Sequence, residues 1–258
     1  MKMKTSSVVL LAVLCASNLL HAEDHPLKKE DREELAENLK EGIDSYSKAL
    51  KGDEKNVQLY SRRGDLRFFS GDFADAVADY EKMVELNPKL NASHWRRGIA
   101  YFYAKQFKKA AHQFEIYHTF DDVDRENGIW RYLSQTQAYG IPKAREGLLK
   151  YKKDDREPFP SVYQLFAGKI TAKEILDKID AAKISDDERE KRLFYAHLYI
   201  GLNYFVEKKP KEAEKHLRLS TANEWGPASG FGPQYMWHVG RVHYDQLVSE
   251  RKTKEKKK

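Results

Sequence analysis

The sequence predicts an all-α protein in which antiparallel helix pairs stack into a right-handed solenoid. Residue classes recur every 34 positions in the middle of the 258-residue chain, and periods of this length are typical of helical-hairpin repeats. Small residues recur where two helices would cross, and Pro88 follows the second helix of the first pair, where it costs no internal hydrogen bond. The recurring positions are Gly64 and Gly98, Phe73 and Phe107, Ala76 and Ala110, and Tyr80 and Phe114.

Two clear repeats follow from this period, at residues 57–90 and 91–124. A small side chain at a crossing lets two helices approach closely, and large side chains beside it fill the remaining space. We therefore expect the glycines and alanines to mark the crossings. The large residues around them are Tyr60, Phe73 and Tyr80 in the first repeat, and Tyr101, Phe107 and Phe114 in the second.

The pattern weakens after the second repeat and returns near the C-terminus. A degenerate third repeat covers residues 125–158 and keeps Ala144 in register, but Tyr132 stands where glycine is expected. A side chain of that size should splay the helix pair. A C-terminal repeat covers about residues 194–227, in which Gly201, Ala213 and Leu217 keep the spacing of Gly64, Ala76 and Tyr80.

Helices at both ends are predicted to cover the terminal repeats, which would otherwise expose apolar faces. Residues 27–51 should form the N-terminal capping helix, and residues 232–250 the C-terminal one. Between the third and last repeats, residues 159–182 should form two short helices, with Thr171 as an N-cap. Residues 23–250 are thus expected to share one core as a single solenoid domain.

The first 22 residues predict a secretory signal peptide. Two lysines precede an apolar run over residues 8–14, and small or polar residues lead to a cleavage site after Ala22. We therefore expect an exported protein of the periplasm or cell envelope. Membrane anchoring through lipidation of Cys15 is the alternative, although Leu14 stands where a lipoprotein signal has Gly, Ala or Ser. Cleavage after Ala22 would leave no cysteine and so no disulfide.

The formal net charge of +6 is concentrated at the two ends of the chain. Lys2 and Lys4 contribute +2 and residues 251–258 contribute +5, so residues 23–250 sum to −1. Nucleic-acid-binding domains carry a basic face in their folded part, and we therefore predict no nucleic-acid partner. Residues 251–258 are interpreted as a disordered, basic tail, with contact to an anionic surface as the alternative.

The sequence contains no motif of a known catalytic or cofactor site: no nucleophile triad order, phosphate loop, H-E-x-x-H or C-x-x-C. Accordingly we predict neither catalytic residues nor a cofactor. Five polar residues near the end of the second repeat could bind a metal, but they fall in a turn, and we interpret them as a solvated loop that caps the next helix. They are His112, His118, Asp121, Asp122 and Asp124.

The mature N-terminus offers a second, weaker metal hypothesis. A chain that begins Glu23-Asp24-His25 would present an amine, two amides and an imidazole, a square-planar set suited to Cu(II) or Ni(II). We expect binding in vitro without a biological role.

The concave groove formed by the first helix of each repeat is the predicted functional surface. Aromatic side chains beside arginines supply rigid contact area and bidentate carboxylate contacts, as peptide-binding sites require. The alternative is that these aromatics pack against the neighbouring repeat. Counting from residues 57, 91 and 125, the groove positions are Arg62, Asp65, Phe69, Trp95, Arg96, Ile99, Tyr103, Trp130 and Leu133.

The pattern Tyr60-x-x-Arg63-Gly64, with Ala76, Tyr80 and Pro88, resembles the tetratricopeptide repeat (TPR) family. The wider layout resembles the NlpI-type bacterial envelope lipoproteins, although the lipidation signal is missing. This second resemblance implies an adaptor that brings peptidoglycan hydrolases or a processing protease together, often as a homodimer. The segments that carry it are residues 130–133, 163–168, 194–204 and 213–223.

The repeats and the absence of a catalytic motif together predict a non-enzymatic scaffold or adaptor that binds a protein or peptide in its groove. The alternative is an enzyme, or an enzyme subunit, with a pocket in the C-terminal half, formed by residues 159–182 and the histidine-bearing C-terminal helices. A deep cavity lined by several ionisable groups would favour this alternative.

Overall fold

The structure of the protein is a computed structural model that describes residues 25–153 and 155–257. Within these ranges the chain forms thirteen α-helices and no strand, which confirms the predicted all-α class. Helices that follow one another in the chain pack against each other. The predicted signal peptide, Cys15, Glu23 and Asp24 lie outside the described residues.

The N-terminal part consists of one long helix followed by two helix pairs. Asn56 caps the second helix, since its side chain accepts hydrogen bonds from the Gln58 and Leu59 amides at 3.0 and 3.2 Å. A 3₁₀ turn at Pro88–Leu90 separates the pairs. The helices are α1 (Lys29–Gly52), α2 (Val57–Ser70), α3 (Phe73–Leu86), α4 (Trp95–Tyr103) and α5 (Phe107–Tyr117).

The pairs α2–α3 and α4–α5 cross with the same geometry, 34 residues apart. A Cβ atom on Gly64 would lie 2.7 Å from the Tyr80 ring, and one on Gly98 would lie 2.6 Å from the Phe114 ring. Only glycine fits at such short distances, so these two positions set how closely the helices of each pair approach.

The turns inside these pairs also repeat. Gly71 and Lys105 adopt the left-handed conformation, with φ of 87° and 60°. In each turn the next amide bonds back into the preceding helix: Asp72 N donates to Arg67 O, and Gln106 N to Tyr101 O, both at 2.8 Å. This bond satisfies a carbonyl at the helix end. Crossing and turn thus follow the 34-residue period together.

The third unit departs from the period. Helix α6 (Arg125–Tyr139) has the expected length, but α7 (Ile141–Glu146) contains only six residues, and residues 147–153 and 155–158 form no regular helix. The buried Tyr132 ring contacts Phe166 at a centroid distance of 5.3 Å. The bulky residue at the glycine position therefore packs against the segment that follows the third unit.

The C-terminal part contains six helices. Thr171 and Glu174 form the predicted cap as a capping box. A Cβ atom on Gly201 would lie 2.7 Å from Leu217, so the glycine crossing recurs between the two helices of the predicted C-terminal repeat. The helices are α8 (Phe159–Phe166), α9 (Ala172–Ala181), α10 (Asp186–Val206), α11 (Pro210–Ala222), α12 (Trp225–Ala228) and α13 (Phe231–Glu255).

Helix α13 does more than cover the end of the stack. It packs against α11 and α12 and also returns to α2. It continues to Glu255, so most of the segment interpreted as a disordered tail, residues 251–258, is helical. The Arg251 guanidinium binds the Glu214 carboxylate of α11 at 3.1 and 3.2 Å, which explains why the helix extends past residue 250.

Candidate functional site

Helix α13 covers part of the predicted groove. The Tyr235 ring of α13 meets Trp95 at 4.9 Å edge-to-face. Phe69 stacks on His238 with ring centroids 3.8 Å apart, and the Tyr103 hydroxyl hydrogen-bonds His243 Nδ1 at 2.9 Å. Three predicted groove residues therefore contact the chain's own last helix.

Asp65 and Arg96 form a buried ion pair between α2 and α4. Arg96 Nη1 lies 2.6 and 2.7 Å from the two Asp65 oxygens, and the Tyr80 hydroxyl donates to Asp65 at 2.6 Å. The pair joins the first repeat to the second. Of the other groove positions, Leu133 is fully buried and Arg62 is exposed.

The remaining two predicted residues, Ile99 and Trp130, line a cleft of about 350 Å³ between the repeats and the C-terminal helices, together with Trp95. We call it the aromatic cleft. Its other aromatic walls come from Phe114, Tyr117, Tyr195 and Trp225. Trp225 and Tyr195 lie with ring centroids 6.0 Å apart. Residues from α4, α5, α6, α10, α12 and α13 therefore meet around one space.

The polar side of the aromatic cleft contains two carboxylates that share one guanidinium. Arg156 binds the Glu126 carboxylate directly, whereas Arg156 Nη1 lies 3.8 Å from Asp124 Oδ1. The Tyr199 hydroxyl also donates to Glu126. Arg156 is held by Asp155 at 3.1 Å and lies 4.3 Å from the Phe159 ring centroid. The loop after α7 thus places the Arg156 guanidinium beside the carboxylates at the start of α6.

Burial changes the acidity of both carboxyl groups. Burial, followed by the charge of Glu126, raises the pKa of Asp124 to about 7. Burial also raises the pKa of Glu126, against the opposing effects of Arg156 and the Tyr199 hydrogen bond. Asp124 is therefore partly protonated near neutral pH.

Two buried side chains of the aromatic cleft have unpaired polar atoms. Trp130 Nε1 and both polar atoms of the Asn127 amide have no hydrogen-bond partner, although each side chain is nearly fully buried. Burial raises the pKa of the Tyr151 hydroxyl, which lies near the Asn127 amide without meeting hydrogen-bond geometry. Buried polar groups are normally satisfied, so Asn127 and Trp130 are exceptions within the fold.

The histidines of the C-terminal helices do not line the aromatic cleft. His197 and His216 face each other with Nδ1 atoms 2.9 Å apart, and burial lowers the pKa of each to about 4. Burial lowers the pKa of His238 and His243 to about 3. All four imidazoles are neutral at physiological pH and belong to the packing between helices.

The polar turn before α6 acts as a helix cap. Asp124 accepts a hydrogen bond from the Glu126 amide at 3.0 Å, and Asp121 accepts from the Val123 and Asp124 amides. Across the part of the chain that the structure describes, no group of three or more His, Cys, Asp or Glu side chains could hold a metal ion. Asp124, which caps the helix, also lines the aromatic cleft.

A larger groove of about 1240 Å³ lies between α1 and α13. Its floor includes Leu35, Leu39 and Val248, and its rim consists mostly of long charged side chains. His25 is fixed at one end by a 2.8 Å contact between its Nε2 and Asp245. Because this groove is bordered by exposed charges of both signs and has few aromatic residues in its lining, the aromatic cleft is the better candidate site.

Sequence reasoning predicted two of the six aromatic residues of the cleft, Trp95 and Trp130, as groove residues and missed its polar side. Asp124 was singled out, but as a cap, and Glu126, Asn127 and Arg156 carried no periodic signal. Trp225 lies in a four-residue helix, which no repeat pattern predicts. The position of Tyr132 at a glycine site was the available sign that geometry changes here.

The sequence matches no protein-family model. None of the helices in residues 25–153 and 155–257 is long and apolar enough to cross a membrane.

Proposed function

We propose that the protein is a non-enzymatic adaptor that binds a segment of a partner protein in the aromatic cleft. The observation that carries this proposal is the cleft itself: tryptophan and tyrosine walls, charged groups at one side, and buried polar atoms without partners. Rigid aromatic anchors dominate the energetics of many protein interfaces, and unpaired amide and indole groups are complementary to a peptide backbone.

We further propose that the helix pairs are tetratricopeptide repeats in a right-handed solenoid, with the aromatic cleft at its modified third unit. Support comes from glycine crossings at Gly64, Gly98 and Gly201, each against a large residue 16 positions later. The left-handed turn residues Gly71, Lys105 and Lys208 each follow the crossing glycine by seven positions.

The proposed location is the periplasm or cell envelope, after cleavage behind Ala22. Partners there would include peptidoglycan hydrolases or a processing protease, as the likeness to NlpI-type proteins implies. Intact-mass measurement on protein from its native host tests the location. A mass that begins at Glu23 supports export, a diacylated Cys15 supports a lipid anchor, and a retained Met1 contradicts both.

Site-specific photo-crosslinking tests the binding site. A photoreactive amino acid at Met236, which lines the aromatic cleft, should capture a defined partner segment in the native host. The same amino acid at Ala78, exposed on α3, is the control position. Mass spectrometry of the crosslinked peptides then identifies the segment.

The captured segment, made as a peptide, is titrated against wild-type protein and a Trp225→Ala variant. Loss of an aromatic anchor costs about 2 kcal/mol or more, so the Kd should rise by about 30-fold. Tyr139→Ala removes an aromatic ring that is exposed outside the cleft and should leave the Kd unchanged. Equal affinity of wild type and Trp225→Ala would contradict the proposed site.

An enzyme remains the second candidate, because Asp124 has a pKa of about 7 in a cleft and such groups are frequent at catalytic sites. The candidate histidines lie elsewhere, and Glu126 is engaged by Arg156 and Tyr199. Chemical alteration of the captured segment by wild-type protein, but not by Asp124→Asn, would favour this function.

A further inference from the structure

We propose that the aromatic cleft anchors a lysine or arginine side chain of the bound segment, with its charge beside Asp124. This inference rests on the proposed function and names the chemistry of the anchor. It follows from three features of the cleft: its excess of carboxylates, its aromatic walls and its unpaired hydrogen-bonding groups.

Carboxylates outnumber cations in the cluster around Arg156. Asp124, Glu126 and Asp155 surround its single guanidinium. Glu126 and Asp155 bond to it directly, but the Asp124 carboxylate lies 3.8 Å away, beyond hydrogen-bond distance. Asp124 therefore has the longest ion-pair contact of the three carboxylates.

Two other basic residues lie at or next to the cleft. The Lys191 ammonium lines the cleft but binds the Glu188 carboxylate at 3.0 Å. The Arg125 guanidinium lies over the Tyr151 ring, 5.2 Å from its centroid. Both of these cations are thus engaged by other groups of the chain.

The walls of the cleft suit a cationic side chain with a long apolar stem. Trp95, Trp130, Trp225 and Tyr195 present aromatic surface, and an ammonium or guanidinium near a tryptophan face is attracted by the ring quadrupole. The methylene groups of lysine or arginine can cover the same rings while the charge remains in a polar environment. An acidic anchor would meet like charge at Asp124 and Glu126.

The unpaired atoms fit the backbone around such an anchor. Trp130 Nε1 needs an acceptor, and the Asn127 amide needs one donor and one acceptor. A peptide presents a carbonyl oxygen and an amide N–H close to each side chain. The buried donors and acceptor are thus matched by the main chain of a bound segment.

A selection experiment with matched variants tests the inference. A random heptapeptide library displayed on phage is selected on wild-type protein, on Asp124→Asn and on Asp122→Asn. Asparagine at position 124 keeps the helix cap and removes the charge. Asp122 is an exposed carboxylate of the same turn, so Asp122→Asn makes the same charge change away from the cleft.

Selected sequences are then made as blocked synthetic peptides, and each is compared with its lysine-to-norleucine or arginine-to-citrulline form. Three of the chain's four tryptophans line the cleft, so intrinsic fluorescence reports binding there. We expect lysine or arginine at one position of the wild-type selection. Neutralising it should raise the Kd about tenfold or more on wild type and Asp122→Asn, and less than about threefold on Asp124→Asn.

The outcomes separate this inference from the proposed function. Peptides that bind without a cationic preference, or with one that Asp124→Asn retains, overturn the anchor and leave the binding role intact. Failure to select any binding peptide, together with unchanged fluorescence across the synthetic set, overturns both.

Discussion

The regular helix pairs, α2–α3 and α4–α5, and the broken third unit at residues 125–158 treat buried polar groups differently. In the regular pairs these groups bind each other: Arg63 binds Asp79 at 2.7 Å, and 34 residues later Arg97 binds Gln113 at 2.8 Å. In the broken unit, Asn127 and the Trp130 indole are buried without partners. The two regions share part of the 34-residue sequence pattern but differ in whether their buried polar groups have partners.

The difference indicates that the regular pairs and the broken unit have different roles in the protein. In a regular pair, buried polar side chains of the two helices bind each other, because the glycine crossing brings the helices together. The broken unit has Tyr132 at the crossing and only six residues in its second helix, so the partners that the regular pairs provide are missing. Asn127 and Trp130 both line the aromatic cleft. The candidate site therefore lies where the structure departs from the repeat.

The largest expected effect is on the buried ion pair that joins the regular pairs. Asp65→Ala leaves the Arg96 guanidinium buried without its carboxylate and should lower the free energy of unfolding by about 3–5 kcal/mol. Urea denaturation followed by circular dichroism measures it. Asp75→Ala removes an exposed carboxylate 3.7 Å from Arg67 and should change stability by less than about 0.5 kcal/mol. Comparable losses in both variants would contradict the satisfied-pair interpretation.

The second effect concerns the broken unit and depends on pH. The pKa of Asp124 is about 7 in the folded state and about 3.9 in the unfolded state, so folding favours the protonated form of this side chain. The contribution of protonated Asp124 to the free energy of unfolding is fully present below about pH 4 and is lost as pH rises through 7. Since one pKa unit corresponds to about 1.4 kcal/mol, the loss amounts to at most about 4 kcal/mol.

Asp124→Asn removes this titration and keeps the helix cap. The variant should match wild type near pH 4 and be more stable at pH 8, as unfolding free energies measured across that range would show. Asp122→Asn provides the matched control. Parallel pH profiles for wild type and Asp124→Asn would show that Asp124 is not held in its protonated form.

These two predictions also mark what the sequence could and could not foresee. Periodicity located the crossings at Gly64, Gly98 and Gly201, because a steric requirement for glycine is local and leaves its sign in the residue type. It did not reveal that α13 returns to α2, since contacts between residues such as Phe69 and His238 depend on the path of the whole chain.

The cleft shows the same limit. Trp95, Ile99 and Trp130 were predicted as groove residues, and they line the aromatic cleft. Arg156 could not be placed, because it comes from an irregular loop whose position is set by Asp155 and Glu126. The 34-residue period predicts the residues that the regular helices contribute to the cleft. It does not predict Arg156, which lies in the irregular end of the third unit.

A third test probes the close approach of the regular helices. Ala76 is fully buried at the α2–α3 crossing, and Ala76→Leu should cost about 1–3 kcal/mol by overpacking. Ala78→Leu places the same side chain on the exposed face of α3 and should be nearly neutral. Thermal unfolding by circular dichroism compares the two. A neutral Ala76→Leu would mean that the crossing has room to spare.

The smallest stability effect is the sharpest test of the comparison, because it sets two buried amides against each other. Gln113 accepts hydrogen bonds from Arg97 at 2.8 and 2.5 Å and donates to Asn91 O at 2.9 Å, so Gln113→Leu should cost about 1–3 kcal/mol. Asn127 has no partner, so Asn127→Leu should change the unfolding free energy by less than about 0.5 kcal/mol, since no internal hydrogen bond is lost.

If Asn127 is reserved for a partner, Asn127→Leu should weaken binding of the crosslinked segment about fivefold or more while stability stays the same, because a hydrogen bond is worth about 1 kcal/mol. Urea denaturation and fluorescence titration on the same preparation measure both quantities. A variant that loses as much stability as Gln113→Leu would show that Asn127 is satisfied inside the fold. The broken unit would then be as closed as the regular pairs, and the unpaired atoms would no longer argue for a site.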